Sequence, residues 1–126
     1  MIYKKLFVDS DVLLDLLLKR DFFFNHSQGL LKKGQEKIFM LCTSTLILAN
    51  VHYVIAKNID RKTAKESIKI LMGLLNVLPF DSDNINSALN SEHIDFEDTI
   101  QFYIAEKYQC DLIISRNLKH YKKCRI

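Results

Sequence analysis

The sequence predicts an α/β domain of three layers, with helices on both faces of a central, mostly parallel sheet of four to five strands. Three observations predict it. Short apolar runs alternate with longer helical patterns, the order that gives parallel strands joined by crossover helices. The first and last of these runs end in polar residues, Asp9 after Leu6, Phe7 and Val8, and Ser115 after Leu112, Ile113 and Ile114. In such folds the carboxyl ends of the strands are where ligands bind. The length, 126 residues, is that of one core, so we expect a single domain over residues 1–126 with one site.

The elements follow in order. Residues 6–8 are continuously apolar, as in a strand buried on both faces. Ser10 is expected to cap the next helix, whose Val12, Leu13, Leu14, Leu16, Leu17 and Leu18 are too apolar for a surface helix. Phe22, Phe23 and Phe24 with Leu30 and Leu31 suggest a second helix, closed by Lys32, Lys33 and a C-cap at Gly34. Residues 38–42 form the second strand, and Thr43 or Ser44 caps a helix carrying Leu46, Ile47, Val51, Val54 and Ile55. A further helix from about Arg61 carries Ile68, Ile70, Leu71, Leu74 and Leu75. Residues 76–80 contain the only proline, Pro79, which marks this third strand as an edge. Asp81, Ser82 and Asp83 open a helix through Ala88 and Leu89; a turn over residues 91–94 leads to a last long helix over about residues 95–108, and residues 111–115 make the final strand.

Composition narrows the setting. A chain that is 48% hydrophobic and 26% charged is of globular type, and no apolar run approaches the roughly 20 residues of a membrane span. Asp9 interrupts any signal-peptide core near the start, so we expect a cytoplasmic protein with no membrane partner. Cys42, Cys110 and Cys124 are odd in number and scattered, which fits buried thiols and neither a disulfide framework nor a zinc site. The net charge is +3, and the segment from Arg116 onward holds Arg116, Lys119, His120, Lys122, Lys123 and Arg125 with no acid. That cluster reads equally as a phosphate-binding surface and as a solvated tail.

Chemistry concentrates at two strand ends and one helix start. The first strand delivers Asp9 with Asp11 beyond it, and the last delivers Ser115, Arg116 and Asn117. Asp95, Glu97 and Asp98 crowd the first turn of the last long helix, where the helix dipole favours negative charge. Asp95 suits an N-cap there, but three acids exceed what capping requires and repel one another unless a cation or protons intervene. Carboxylates without a matched His or Cys set suit a hard, oxygen-liking ion, Mg²⁺ or Mn²⁺.

Taken together, LFVDSDVLLDLLLKR, CTSTLILANVHYVIAK, VLPF, DFEDTIQFYIAEKYQCDLIISRN and NLKHYK resemble the PIN domain family in order and spacing over nearly the whole chain. DFEDTIQ followed by CDLIISRN is the most specific piece. The resemblance implies a PIN-like α/β/α fold and a Mg²⁺- or Mn²⁺-dependent endoribonuclease, in many members the toxin of a toxin-antitoxin pair. It matches Asp9 to the family's first metal-binding aspartate and Asp98 to the acid of its aspartate-alanine-hydrophobic segment. Asn117 stands where an Asp or Asn orients a metal-bound water, and Asp11 where Asn is usual. Asn50 replaces a glutamate common on that helix, and His120 with Tyr121 replaces Asp-Phe. Asp95, on the face of Asp98, is the better substitute for the missing charge; adjacent Glu97 points about 100° away.

From these residues we expect Asp9, Asp98, Asp95 and Glu97 as metal ligands, with Asp9, Asp98, Asp95 and Asn117 carrying catalysis. Ser10, Asn50, Arg116 and Lys119 are expected to contact an RNA substrate, whose flanking phosphates would be bound without sequence readout. An antitoxin protein and a second copy of the chain, as a homodimer, are the expected protein partners; Phe22, Phe23 and Phe24 exceed what one helix face needs, and the core or a partner would cover the surplus. The loss of acids at Asn50 and His120 also supports a different class, a PIN-fold RNA-binding or protein-interaction module without full catalysis.

Overall fold

Strands and helices alternate from the first described residue. The computed structural model describes residues 4–19, 24–36, 38–92 and 95–115. Strand β1 (Lys4–Val8) is followed by helices α1 (Ser10–Leu17) and α2 (Phe24–Gln35), then by β2 (Phe39–Ser44). Helices α3 (Thr45–Asn58) and α4 (Arg61–Leu74) lead to β3 (Asn76–Leu78), and α5 (Ser82–Leu89) and α6 (Phe96–Lys107) lead to β4 (Leu112–Ile114). The strands form one sheet in the order β3-β2-β1-β4, parallel at every pairing. The expected α/β architecture is the one observed, with the proline-flanked strand β3 at an edge.

Burial explains why β1 lies inside. Successive residues of a strand point to opposite faces, and Leu6, Phe7 and Val8 are all buried, so both faces of the sheet are covered. Val12, Leu13 and Leu14 of α1, Ile47, Val51 and Ile55 of α3, Leu71 of α4 and Ile104 of α6 complete that core. Helix α3 packs against α4, and α5 against α6. No helix among the described residues is long and apolar enough to cross a membrane.

Two local expectations are corrected. Ser10 does not cap α1: Asp9 does, with an extended backbone and a carboxylate that accepts from the Ser10 amide, because the chain leaves β1 at Asp9 and Ser10 is already helical. Gly34 does not end α2, which runs on to Gln35. Its missing side chain serves packing instead, since a Cβ there would lie 2.5 Å from Leu41 Cδ1. The other caps follow the sequence: Ser44 for α3, Asp81 for α5 with Asn84 completing a reciprocal capping box, and Asp95 for α6. Phe22 and Phe23 lie outside the described residues.

β4 is held beside β1 by side chains as well as by the ladder. The Lys5 amide donates to Asp111 Oδ2 at 2.8 Å, and Lys5 Nζ donates to the Tyr108 carbonyl at 2.6 Å. A cation at the C-terminal end of α6 complements the helix dipole. Cys42 and Cys110, both buried, share a hydrogen bond that, with burial, pushes the Cys110 thiol well above its usual value. Cys124 lies outside the described residues.

Candidate active site

The carboxyl ends of β1, β2 and β4 meet the N-terminal half of α6 along one rim. At the end of β1, Asp9 is 5% exposed. Its Oδ1 accepts from the Ser10 amide at 2.7 Å, and its Oδ2 accepts from Ser115 Oγ, just past β4, at 3.0 Å. The Asp9 amide donates to the Ile114 carbonyl at 3.0 Å. A carboxylate fixed from both sides at a strand end has one orientation, and three pieces of chain set it.

β2 is tied to the same rim. Thr43 Oγ1 donates to the Val8 carbonyl at 3.1 Å, one residue before Asp9. Ser44 Oγ accepts from the Ile47 amide at 3.1 Å, which caps α3, and donates to Gln101 Oε1 at 2.8 Å. Gln101 lies one turn after Asp98 on α6, and residues so spaced share a helix face. The Ser44 contact thus ties α6, one turn after Asp98, to the end of β2.

Within that turn the three acids differ in setting. Asp95 Oδ1 accepts from the Asp98 amide at 2.9 Å, and Thr99 Oγ1 donates to the Asp95 carbonyl at 2.6 Å. Asp95 and Asp98 are half-buried, whereas Glu97 is exposed, as the rotation between adjacent helical positions requires. Ser10 and Asp11 are half-buried at the start of α1, and Asn50 is exposed on α3. Arg116, Asn117, Lys119 and His120 lie outside the described residues.

Sequence reasoning missed the supporting polar groups. In the sequence, Ser115 reads only as a polar strand end and Ser44 only as a cap, and Gln101 carries no assignment. The available signal was a carboxamide among the apolar residues Ile100, Phe102, Ile104 and Ala105 of α6, since a buried amide requires a partner.

The polar side chains at the end of β1 are oxygen-bearing: Asp9, the adjacent Ser10, and Ser115 bonded to Asp9. Among the described residues no group of three or more His, Cys, Asp and Glu side chains is placed to hold a metal ion. An oxygen rim with few carboxylates fits a hard ion that retains several waters, such as Mg²⁺, and not a caged ion such as structural zinc. A separate groove of about 280 Å³ between α5 and α6, lined by Asp83, Asn84, Ser87, Tyr103, Glu106 and Lys107, contains none of the predicted site residues.

Ribonuclease VapC1 of Aquifex aeolicus (strain VF5) is 31% identical over 123 residues, covering 94% of this chain and 85% of that protein. The fold is similar to that of VapC20 of Mycobacterium tuberculosis, a toxin that cleaves the sarcin-ricin loop, at a TM-score of 0.75 and 13% identity, covering 96% of each chain. It is similar, too, to a toxin-antitoxin complex from Klebsiella pneumoniae, at a TM-score of 0.67 and 18% identity, covering 91% of this chain and 88% of that one. With the PIN domain model matching residues 5–119, the chain belongs to the PIN domain family.

Proposed function

We propose that this PIN domain is a divalent-metal-dependent endoribonuclease and the toxin of a toxin-antitoxin pair. The observation that carries the reading is Asp9: a carboxylate 5% exposed, oriented by Ser10 and Ser115 at the carboxyl end of β1, with α6 bonded to the neighbouring strand end through Gln101. Burying a carboxylate is unfavourable unless it is hydrogen-bonded, as Asp9 is, and its place at a strand's carboxyl end is where such folds bind ligands. The ribonuclease relative, similar over most of both chains, supports the reaction class.

Asp9 and Asp98 would hold Mg²⁺ or Mn²⁺, with Asp95 or Glu97 adding negative charge nearby. When bound, such an ion supplies an activated water and stabilises charge on the phosphate in an in-line displacement. Asp95, capping α6, keeps Asp98 at the helix start. Ser10 and Asn50 would hydrogen-bond the substrate, Arg116 and Lys119 would meet flanking phosphates, and Asn117 would orient the attacking water. The domain would act as one unit over residues 1–126, in the cytoplasm and with a second copy as partner; an antitoxin partner is supported by the toxin-antitoxin complex of similar fold.

The test is cleavage of RNA with Mn²⁺ against chelator, for wild type and Asp9→Asn. We expect cleavage that needs Mn²⁺ and falls to background in Asp9→Asn; cleavage surviving both treatments overturns the reading. Asn50, a neutral and exposed residue where many family members have glutamate, favours a second reading, an RNA-binding module without turnover. Metal-independent RNA binding with no cleavage would select it.

A further inference from the structure

We propose, resting on the reading of the rim as a metal site, that Gln101 is a positioning residue for Asp98, acting through its buried hydrogen bond to Ser44. Gln101 is 4% exposed and Ser44 0%. A carboxamide in an apolar interior costs free energy unless bonded, and an apolar residue of like shape would fill the same space without that cost. A satisfied polar pair in the core is therefore an arrangement that specifies one geometry. Here it fixes α6 against the sheet.

The Ser44 hydroxyl serves both elements at once. It receives the Ile47 amide that starts α3 and gives its proton to Gln101 Oε1, so the end of β2, the start of α3 and the shaft of α6 meet at one oxygen. This hydrogen bond joins the shaft of α6 to the carboxyl edge of the sheet. Asp98 sits one turn earlier, its amide held by Asp95, so it is bracketed by the cap on one side and by the Gln101 link on the other. A slip of α6 by one residue would move Asp98 about 1.5 Å along the axis and turn it about 100°. Oxygen-to-Mg²⁺ distances are held near 2 Å, so neither displacement is compatible with an ion shared with Asp9.

The experiment measures Mn²⁺ affinity of the full chain by electron paramagnetic resonance, independently of turnover, with circular dichroism to show that each variant is folded. The set is wild type, Gln101→Met, Ser44→Ala, the double variant, Gln101→Glu and Asp9→Asn. Gln101→Met is expected to weaken Mn²⁺ binding about 10- to 100-fold, the usual effect of losing a residue that orients a ligand. Ser44→Ala should weaken it similarly, and the double variant no further, because either change breaks the same link. Gln101→Glu keeps an oxygen acceptor for Ser44 and adds negative charge near the site, so its Mn²⁺ affinity should be no weaker than wild type, and a loss like that of Gln101→Met would overturn the proposal.

Unchanged Mn²⁺ affinity in folded Gln101→Met, or losses that multiply in the double variant, overturns the proposal. If Gln101→Met does not fold, unchanged affinity in Ser44→Ala overturns it equally. Asp9→Asn separates the two levels. Binding that ignores Asp9→Asn sinks the metal-site reading and this proposal with it, whereas binding lost in Asp9→Asn but retained in Gln101→Met sinks this proposal alone.

Discussion

Asp9 shows how much a single side chain depends on its donors. The carboxylate takes one hydrogen bond from the adjacent amide and one from Ser115, far along the chain, so local geometry and tertiary fold each set one oxygen. Ser115→Ala removes the second donor without adding bulk. We expect Mn²⁺-dependent cleavage to fall about 10- to 100-fold, with a stability loss of no more than about 2 kcal/mol, read from initial rates and from urea unfolding. A variant with full activity would show that Ser10 alone suffices. The Cys110 thiol is the opposite case, buried and held by Cys42. Because Cys42 and burial hold Cys110 protonated, iodoacetamide should leave Cys110 unmodified in the native chain and alkylate it in denaturant, as peptide mass mapping would show.

At the scale of elements, the glycines separate packing from propensity. In α2, Gly34 faces Leu41 of β2 so closely that an added Cβ would lie 2.5 Å from Cδ1 and 2.8 Å from Cγ, and Leu41 is a buried core residue. Gly34→Ala should destabilise by about 1–3 kcal/mol through overpacking, even after the helix gains propensity. Gly29 and Gly73, also helical, have nothing within 4 Å of an added Cβ. Alanine at either should stabilise by about 0.5–1 kcal/mol. The end of α6 offers the converse case. Gln109 has φ 59°, a left-handed conformation in which its amide reaches back to the Glu106 carbonyl. Glycine is strain-free there, so Gln109→Gly should gain up to about 1 kcal/mol. The same urea midpoints decide all four, and a stabilising Gly34→Ala would refute the packing account.

For the whole molecule, one exposed ion pair joins the start of α5 to the end of α6. Lys107 Nζ lies 3.1 Å from Asp81 Oδ2. The lysine's hydrogen bond holds the Asp81 carboxyl below its usual value, and the carboxylate raises Lys107. Asp60 is lowered as well, first by the Thr63 amide it caps. Depressed carboxyls stabilise the fold fully above their unfolded value, near 4, and lose that effect as pH falls through the lower folded value. A raised lysine works the other way: its contribution is complete below about pH 10.4 and fades as pH rises through the folded value. Stability should therefore decline at both extremes, and Asp81→Asn should flatten both arms. Because the pair is exposed, added salt should reduce the difference between variant and wild type. Urea midpoints across pH at two ionic strengths measure this, and parallel profiles for both proteins would show that the pair contributes nothing.

The sequence by itself determined the alternation of strands and helices, the edge position beside Pro79, and which acids stand at strand and helix ends. These are local properties: hydrophobic period, capping chemistry and proline geometry act within a few residues, and each can be read without knowing what packs where. The tertiary structure alone decided what surrounds those acids. Nothing within reach of Asp9 in the chain announces Ser115, and nothing near Gln101 announces Ser44, because such partners meet only when the parallel order β3-β2-β1-β4 brings distant strand ends to one rim. Gly34 belongs with them: beside Lys32 and Lys33 it has the composition of a helix end, but Leu41 across the α2–β2 contact is what requires the missing side chain. A hydrogen bond or a close approach between segments far apart in sequence has no local signature, so the carboxylates were legible and the framework that aims them was not.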